Sequence, residues 1–139
     1  MLLIVANQLL FGQNTSNNIF TEFNLFFDAE IKHQGIKGDW IFKLNEITGN
    51  HKFDYNNDGF NDVLMEFNAI PVDGGGVTYY FAVLFENDKN NSFKFVNYLN
   101  CEQLVFKLFN EPSFTFTNTK YKTTENFVLV NSKFIKSSL

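Results

Sequence analysis

A chain of 139 residues, 45% of them hydrophobic and only two of them proline, can bury a core and is too apolar to stay disordered. A net charge of −4 argues against a nucleic-acid surface, which needs a basic patch. No run of about 20 apolar residues occurs, so no membrane-spanning helix is predicted; the 19 phenylalanines imply a thick aromatic core or an exposed sticky face.

Residues 1–13, from Met1-Leu2-Leu3-Ile4-Val5 to Phe11-Gly12-Gln13, read as the apolar part of a signal peptide, with small Gly12 at the cleavage position. The basic segment that usually precedes such a run is missing, and the competing reading is a first buried strand or helix. The expectation is an exported protein (periplasmic, cell-surface or secreted) in which residues 14–139 form one α+β domain. Cys101 is the only cysteine, so no internal disulfide can form. A lone thiol fits a small buried apolar side chain better than a nucleophile.

Residues 16–34 carry Ile19, Phe20, Phe23, Phe26, Phe27 and Ile31 at three- and four-residue steps, which predicts an amphipathic helix. Ser16 or Asn17 caps its start, Lys32 and His33 suit the negative end of its dipole, and Gly35 stops it. Strands are predicted from Trp40 to Leu44 and from Lys52 to Tyr55, with His51 as a turn residue just before the second.

Asp54-Tyr55-Asn56-Asn57-Asp58-Gly59-Phe60-Asn61-Asp62 follows, with oxygen-bearing side chains at its first, third, fifth and ninth places. That alternation suits Ca²⁺, which takes six to eight oxygens at about 2.3–2.6 Å. Asp54, Asn56, Asp58 and Asp62 would supply side-chain oxygens and Phe60 its carbonyl, while Gly59 takes the positive φ of the sharp turn. The alternative is a plain Asn/Asp/Gly turn. Three acids in nine residues repel one another without a counter-ion, which favours the cation. The D-x-N-x-D-G-x-x-D pattern followed by Val63-Leu64 resembles the calcium loops of FG-GAP and VCBS repeats, and more distantly those of dockerin and thrombospondin type 3 modules. The resemblance covers about a dozen residues in a single copy and implies a Ca²⁺-binding connection between strands. Met65 stands where an EF-hand places its bidentate Glu, and Glu66 is one place late, so a helix–loop–helix sensor is not expected. The wider layout resembles small exported bacterial domains.

Val63 to Asn68 leaves the loop as a strand, and Asp73-Gly74-Gly75-Gly76 reads as a turn, because a strand and not a helix follows it. That strand, Val77 to Phe85, is apolar on both faces and should lie centrally with both sides covered. A single helix covers one side; the other must meet the remaining chain, a second copy or a ligand. Further strands are predicted over 92–99, 114–117 and 127–135, with 102–109 either strand or short helix ended by Pro112. The predicted fold is an N-terminal helix packed on an antiparallel meander of about five to seven strands.

No Ser, Cys or Thr elbow with a supporting His is present, nor a Cys/His cluster for Zn²⁺. Carboxylates for glycoside hydrolysis could be assembled from Asp39, Glu46, Glu66 and Glu86, but solvated or metal-linked acids are the simpler reading. The preferred expectation is a non-enzymatic, Ca²⁺-stabilised domain that contacts a protein or glycan, or itself through the sheet face. A metal-assisted hydrolase of sugar or phosphate esters and an inhibitor or immunity-type protein binder are the alternatives.

Overall fold

The computed structural model describes residues 17–34, 41–89 and 92–138. The signal-like run over 1–13, the capping side chains of Ser16 and Asn17, and Gly35, Asp39 and Trp40 lie outside what is described. The helix α1 runs from Asn17–Phe26 and continues as a π-helical turn over Phe27–Ile31, where the Lys32 N–H reaches back to the Phe27 carbonyl at 2.9 Å. The wider turn keeps Phe26, Phe27 and Ile31 all buried beside Ile19 and Phe23. Phe20, predicted in the same stripe, is instead exposed.

Eight strands are described: β1 Phe42–Phe53, β2 Asp62–Pro71, β3 Tyr79–Asn87, β4 Phe93–Asn100, β5 Leu104–Asn110, β6 Ser113–Asn118, β7 Thr124–Val130 and β8 Lys133–Ser137. They form two four-stranded antiparallel sheets, in the orders β1-β2-β3-β4 and β5-β6-β7-β8. The helix-plus-antiparallel-strand character agrees with expectation. The single meander of five to seven strands does not, for three local reasons. The two short strands predicted from Trp40 to Leu44 and from Lys52 to Tyr55 fall largely on one long edge strand, β1, whose register shifts at Leu44/Glu46 and Ile47/Gly49 break its alternation. His51 lies within that strand, opposite Leu64, and not in a turn. The run over 127–135 folds back at Asn131-Ser132, both with positive φ (50° and 59°), which closes a two-residue hairpin between β7 and β8 without any glycine. The run over 102–109 resolves as a turn at Glu102 and Gln103 followed by the strand β5 from Leu104.

The molecule is layered helix, sheet, sheet. One face of the first sheet presents Val63, Met65 and Phe67 of β2 and Phe81, Val83 and Phe85 of β3 to α1. Its opposite face presents Leu64, Ala82 and Leu84 to Phe106, Phe114, Phe116 and Phe127 of the second sheet. Every residue from Asp62 to Ala69 is buried, as is every one from Phe81 to Phe85. The covering of β3 on both sides is thus met by the chain itself, so that face is not available for self-association. Aromatic rings fill both layers, with Phe23 edge-on to Phe67 at 5.1 Å on one side and Phe53 stacked on Phe109 at 5.0 Å on the other.

A side chain also joins the two sheets. Glu66 of β2 accepts the Phe106 N–H of β5 at 2.6 Å through one carboxylate oxygen. Its other oxygen lies 2.8 Å from His51 Nε2, and the His51 ring packs on Phe106 with centroids 4.7 Å apart. Gly49, opposite Glu66 in the β1–β2 register, leaves room for this junction, because a Cβ there would fall 2.5 Å from Glu66 Oε2 and 2.8 Å from His51 Nε2. Gly49→Ala is therefore expected to displace the carboxylate from the Phe106 amide and destabilise the fold by about 1–3 kcal/mol. Urea denaturation checks this; an unchanged midpoint would show that Glu66 swings aside freely.

Candidate functional site

The 54–62 loop caps the β1–β2 hairpin. Its turn is built by Asn57 and Gly59, with φ of 60° and 89°. No atom lies within 4 Å of a Cβ placed on Gly59, so the demand there is one of backbone conformation alone. Around this turn the acidic side chains accept the loop's own amides. Asp54 accepts the Asp58 N–H at 3.2 Å and the Gly59 N–H at 2.8 Å through its two oxygens. Asn56 Oδ1 takes the same Asp58 N–H at 3.1 Å, so oxygens from Asp54 and Asn56 converge on one hydrogen. Asn56 Nδ2 donates to Asp58 Oδ2 at 3.2 Å, and Asp58 Oδ1 accepts the Phe60 N–H at 2.9 Å. Asp54, Asn56 and Asp58 are thereby gathered at the tip.

Asp62 stands apart from them. It is fully buried, and its two oxygens accept the Tyr55 N–H at 3.0 Å and the Asn87 N–H at 2.8 Å. It fastens the start of the loop and the end of β3 to the start of β2. Burial pushes its carboxyl pKa up, the two amide hydrogen bonds oppose that, and the charges of Asp58 and Asp54 add to the rise. Among the described residues, no three His, Cys, Asp or Glu side chains are grouped as a metal site.

Three further contacts tie the loop to its surroundings. Tyr55 donates its hydroxyl to Glu86 Oε2 at 2.7 Å, and its pKa is raised first by burial and then by that bond. Asn87 Nδ2 donates to the Asn61 carbonyl at 3.1 Å, while its Oδ1 is buried without a partner among the described residues. Asn57 Nδ2 reaches Glu111 Oε2 at 2.7 Å, in the turn between β5 and β6. The loop of the first sheet is in this way joined to the second. Nothing local in the sequence pairs Asn57 with Glu111, 54 residues away.

The remaining candidate acids do not assemble. Glu46 is exposed on β1, Glu86 serves Tyr55 and Glu66 serves the inter-sheet junction, while Asp39 lies outside the described residues. Cys101 is buried beside Glu66, and burial with that nearby charge pushes its thiol up to about 12. At pH 8 a thiol held that high is about a thousandfold poorer in thiolate than an ordinary cysteine. Iodoacetamide should accordingly label the native protein slowly and the urea-unfolded protein at the rate of a free thiol. Equal rates would show the thiol to be accessible and unperturbed. Comparison with protein-family models, with characterised proteins and with solved structures finds no match to this chain.

Proposed function

We propose that this chain is an exported, non-enzymatic β-domain in which Ca²⁺ pins the 54–62 hairpin loop of a sheet that contacts another macromolecule. The observation that carries the reading is the convergence of Asp54 and Asn56 oxygens on the Asp58 amide, with the Asp58 carboxylate beside them. An ionised carboxylate offers about four lone-pair sites, and the hydrogen bonds described use two at Asp54, two at Asp58 and two at Asp62. Oxygen acceptors therefore remain, and the donor set is all hard oxygen, which fits Ca²⁺ and not a soft metal. Asp54, Asn56, Asp58 and the Phe60 carbonyl would hold the ion, with Asp62 as anchor and additional ligand. The ion would offset the mutual repulsion of the acids and fix a loop that reaches both sheets.

Exposed apolar side chains at the other end of β2 support the binding role. Ile41, Val72 and Val77 are exposed around the Asp73–Gly76 turn, beside a hollow of about 120 Å³. Apolar side chains gathered on a loop end suit contact with a protein or glycan.

The test is thermal melting in millimolar Ca²⁺ and in chelator. Calcium at about ten times its dissociation constant stabilises by about 1.4 kcal/mol, which for a domain of this length raises Tm by about 3–5 °C. Asp58→Ala should melt at one temperature in both buffers. A wild-type protein indifferent to calcium would remove the ion from the reading.

A further inference from the structure

At the end of the sandwich away from the 54–62 loop, the sheets part between β3 and β5. Two hollows of about 440 and 220 Å³ open there and share Tyr80, Cys101, Leu104 and Val105 as walls. Their combined size suits a small organic molecule. Apolar side chains dominate the shared walls, yet the smaller hollow is also lined by Glu66, which is 9% exposed. This is the one charged side chain lining that hollow.

The carboxylate of Glu66 is held in place before any ligand arrives. The Phe106 amide fixes one oxygen and His51 Nε2 the other. Gly49, lacking a Cβ, leaves the space that the carboxylate occupies. Two of about four lone-pair sites are used, so acceptor capacity remains. Among the described residues, lysine ion pairs go to Asp28 and Glu125, whereas the partner of Glu66 is the imidazole of His51. The Phe106 amide and the His51 imidazole already compensate this buried carboxylate in part, and a cation at its remaining acceptor sites would add to that. A metal ion finds one carboxylate in the smaller hollow, and the second, Glu102, lines only the larger one and is exposed. A cation carrying its own hydrocarbon satisfies both features.

We propose that the cleft between β3 and β5 binds a small primary alkylammonium. Its N–H groups meet Glu66, its chain lies along Leu104 and Val105, and the Tyr80 ring offers a face to the positive end. The proposal stands apart from the calcium reading, since none of these residues belongs to the 54–62 loop.

Titration of the full chain, in calcium-containing buffer, with hexylammonium, 1-hexanol and hexanoate tests it by NMR. Wild type should bind hexylammonium at least about tenfold tighter than hexanol, with hexanoate weakest, because a charge-assisted hydrogen bond is added to the same apolar contact. Amide shifts should centre on Cys101, Leu104 and Val105. Glu66→Gln should keep hexanol binding and lose the preference for the amine. Val105→Trp, a change at a half-exposed edge position, should fill the cleft and abolish binding of both. No saturable binding of hexylammonium, affinity equal to that of hexanol, or a preference surviving in Glu66→Gln overturns the proposal. If Glu66→Gln does not fold, the wild-type ratio together with Val105→Trp decides: a tenfold wild-type ratio with binding of both ligands lost in that variant supports it, and any other result overturns it.

Discussion

Asp62→Ala is expected to cost about 2–4 kcal/mol, even in chelator. The substitution strips the acceptor from two backbone amides, Tyr55 N–H and Asn87 N–H, of which the second is buried. Each hydrogen bond to a charged acceptor contributes about 1.5–3 kcal/mol, and a buried donor left without one keeps its full desolvation cost. Part of that loss is returned, because burying the carboxylate is itself unfavourable, as its raised pKa records. Asp62→Asn keeps one acceptor and turns an NH₂ toward the other amide, so about half the loss is expected. Urea denaturation in calcium and in chelator separates two roles of this side chain. An anchor alone gives the same loss in both buffers, whereas an anchor that also ligates Ca²⁺ gives a larger loss in calcium. A cost below about 1 kcal/mol in chelator would show that the two amides find other partners, and the anchoring role would fail.

Phe67→Ala and Phe116→Ala should each cost about 3–5 kcal/mol, the usual range for emptying a phenylalanine site in a core. Both side chains are fully buried. Phe67 sits among Phe23, Phe26 and Phe27 from the helical segment and stacks on Phe81 at 5.3 Å. Phe116 meets Phe106 and Phe127 edge-on, each at 5.5 Å, in the layer between the sheets. The two sites lie in different cores, yet β2 and β3 supply one face to each, so damage to either should lower one shared transition. Far-ultraviolet and near-ultraviolet circular dichroism should remain superimposable through denaturant in both variants. A Phe116→Ala protein that melts in two steps, with the helix layer surviving the first, would mean that the second sheet is a separate cooperative unit.

The apolar stripe of residues 19–31 was legible because helical spacing is a short-range signal, and five of its six members are buried in the core against the first sheet. Phe20 was not separable from them, since the π-helical turn after Phe26 resets which side chains point inward. The double-sided strand at residue 81 was equally plain from its run of apolar residues. What covered its second side was not, because the second-sheet phenylalanines there, Phe106, Phe114, Phe116 and Phe127, lie more than 20 residues downstream. β1 was read as two pieces because its bulges interrupt the alternation that reveals a strand. The β7–β8 turn was invisible because Asn131-Ser132 reaches positive φ without the glycine that usually marks it.

The candidate site divides along the same line. Asp54, Asn56, Asp58 and Gly59 could be assigned to one loop from their spacing, since a turn of nine residues is closed by atoms near in sequence. The separate duty of Asp62 could not, for Asn87 reaches it from 25 residues away. Nor could the junction at Glu66, whose partners His51 and Phe106 approach from either side at separations of 15 and 40 residues. Periodicity and turn chemistry act between neighbours along the chain, and on their own they settled the helix, most strands and the loop. Which face of the sheet is sealed, and which buried carboxylate is left beside an open cleft, was decided by packing between distant segments, which has no local imprint.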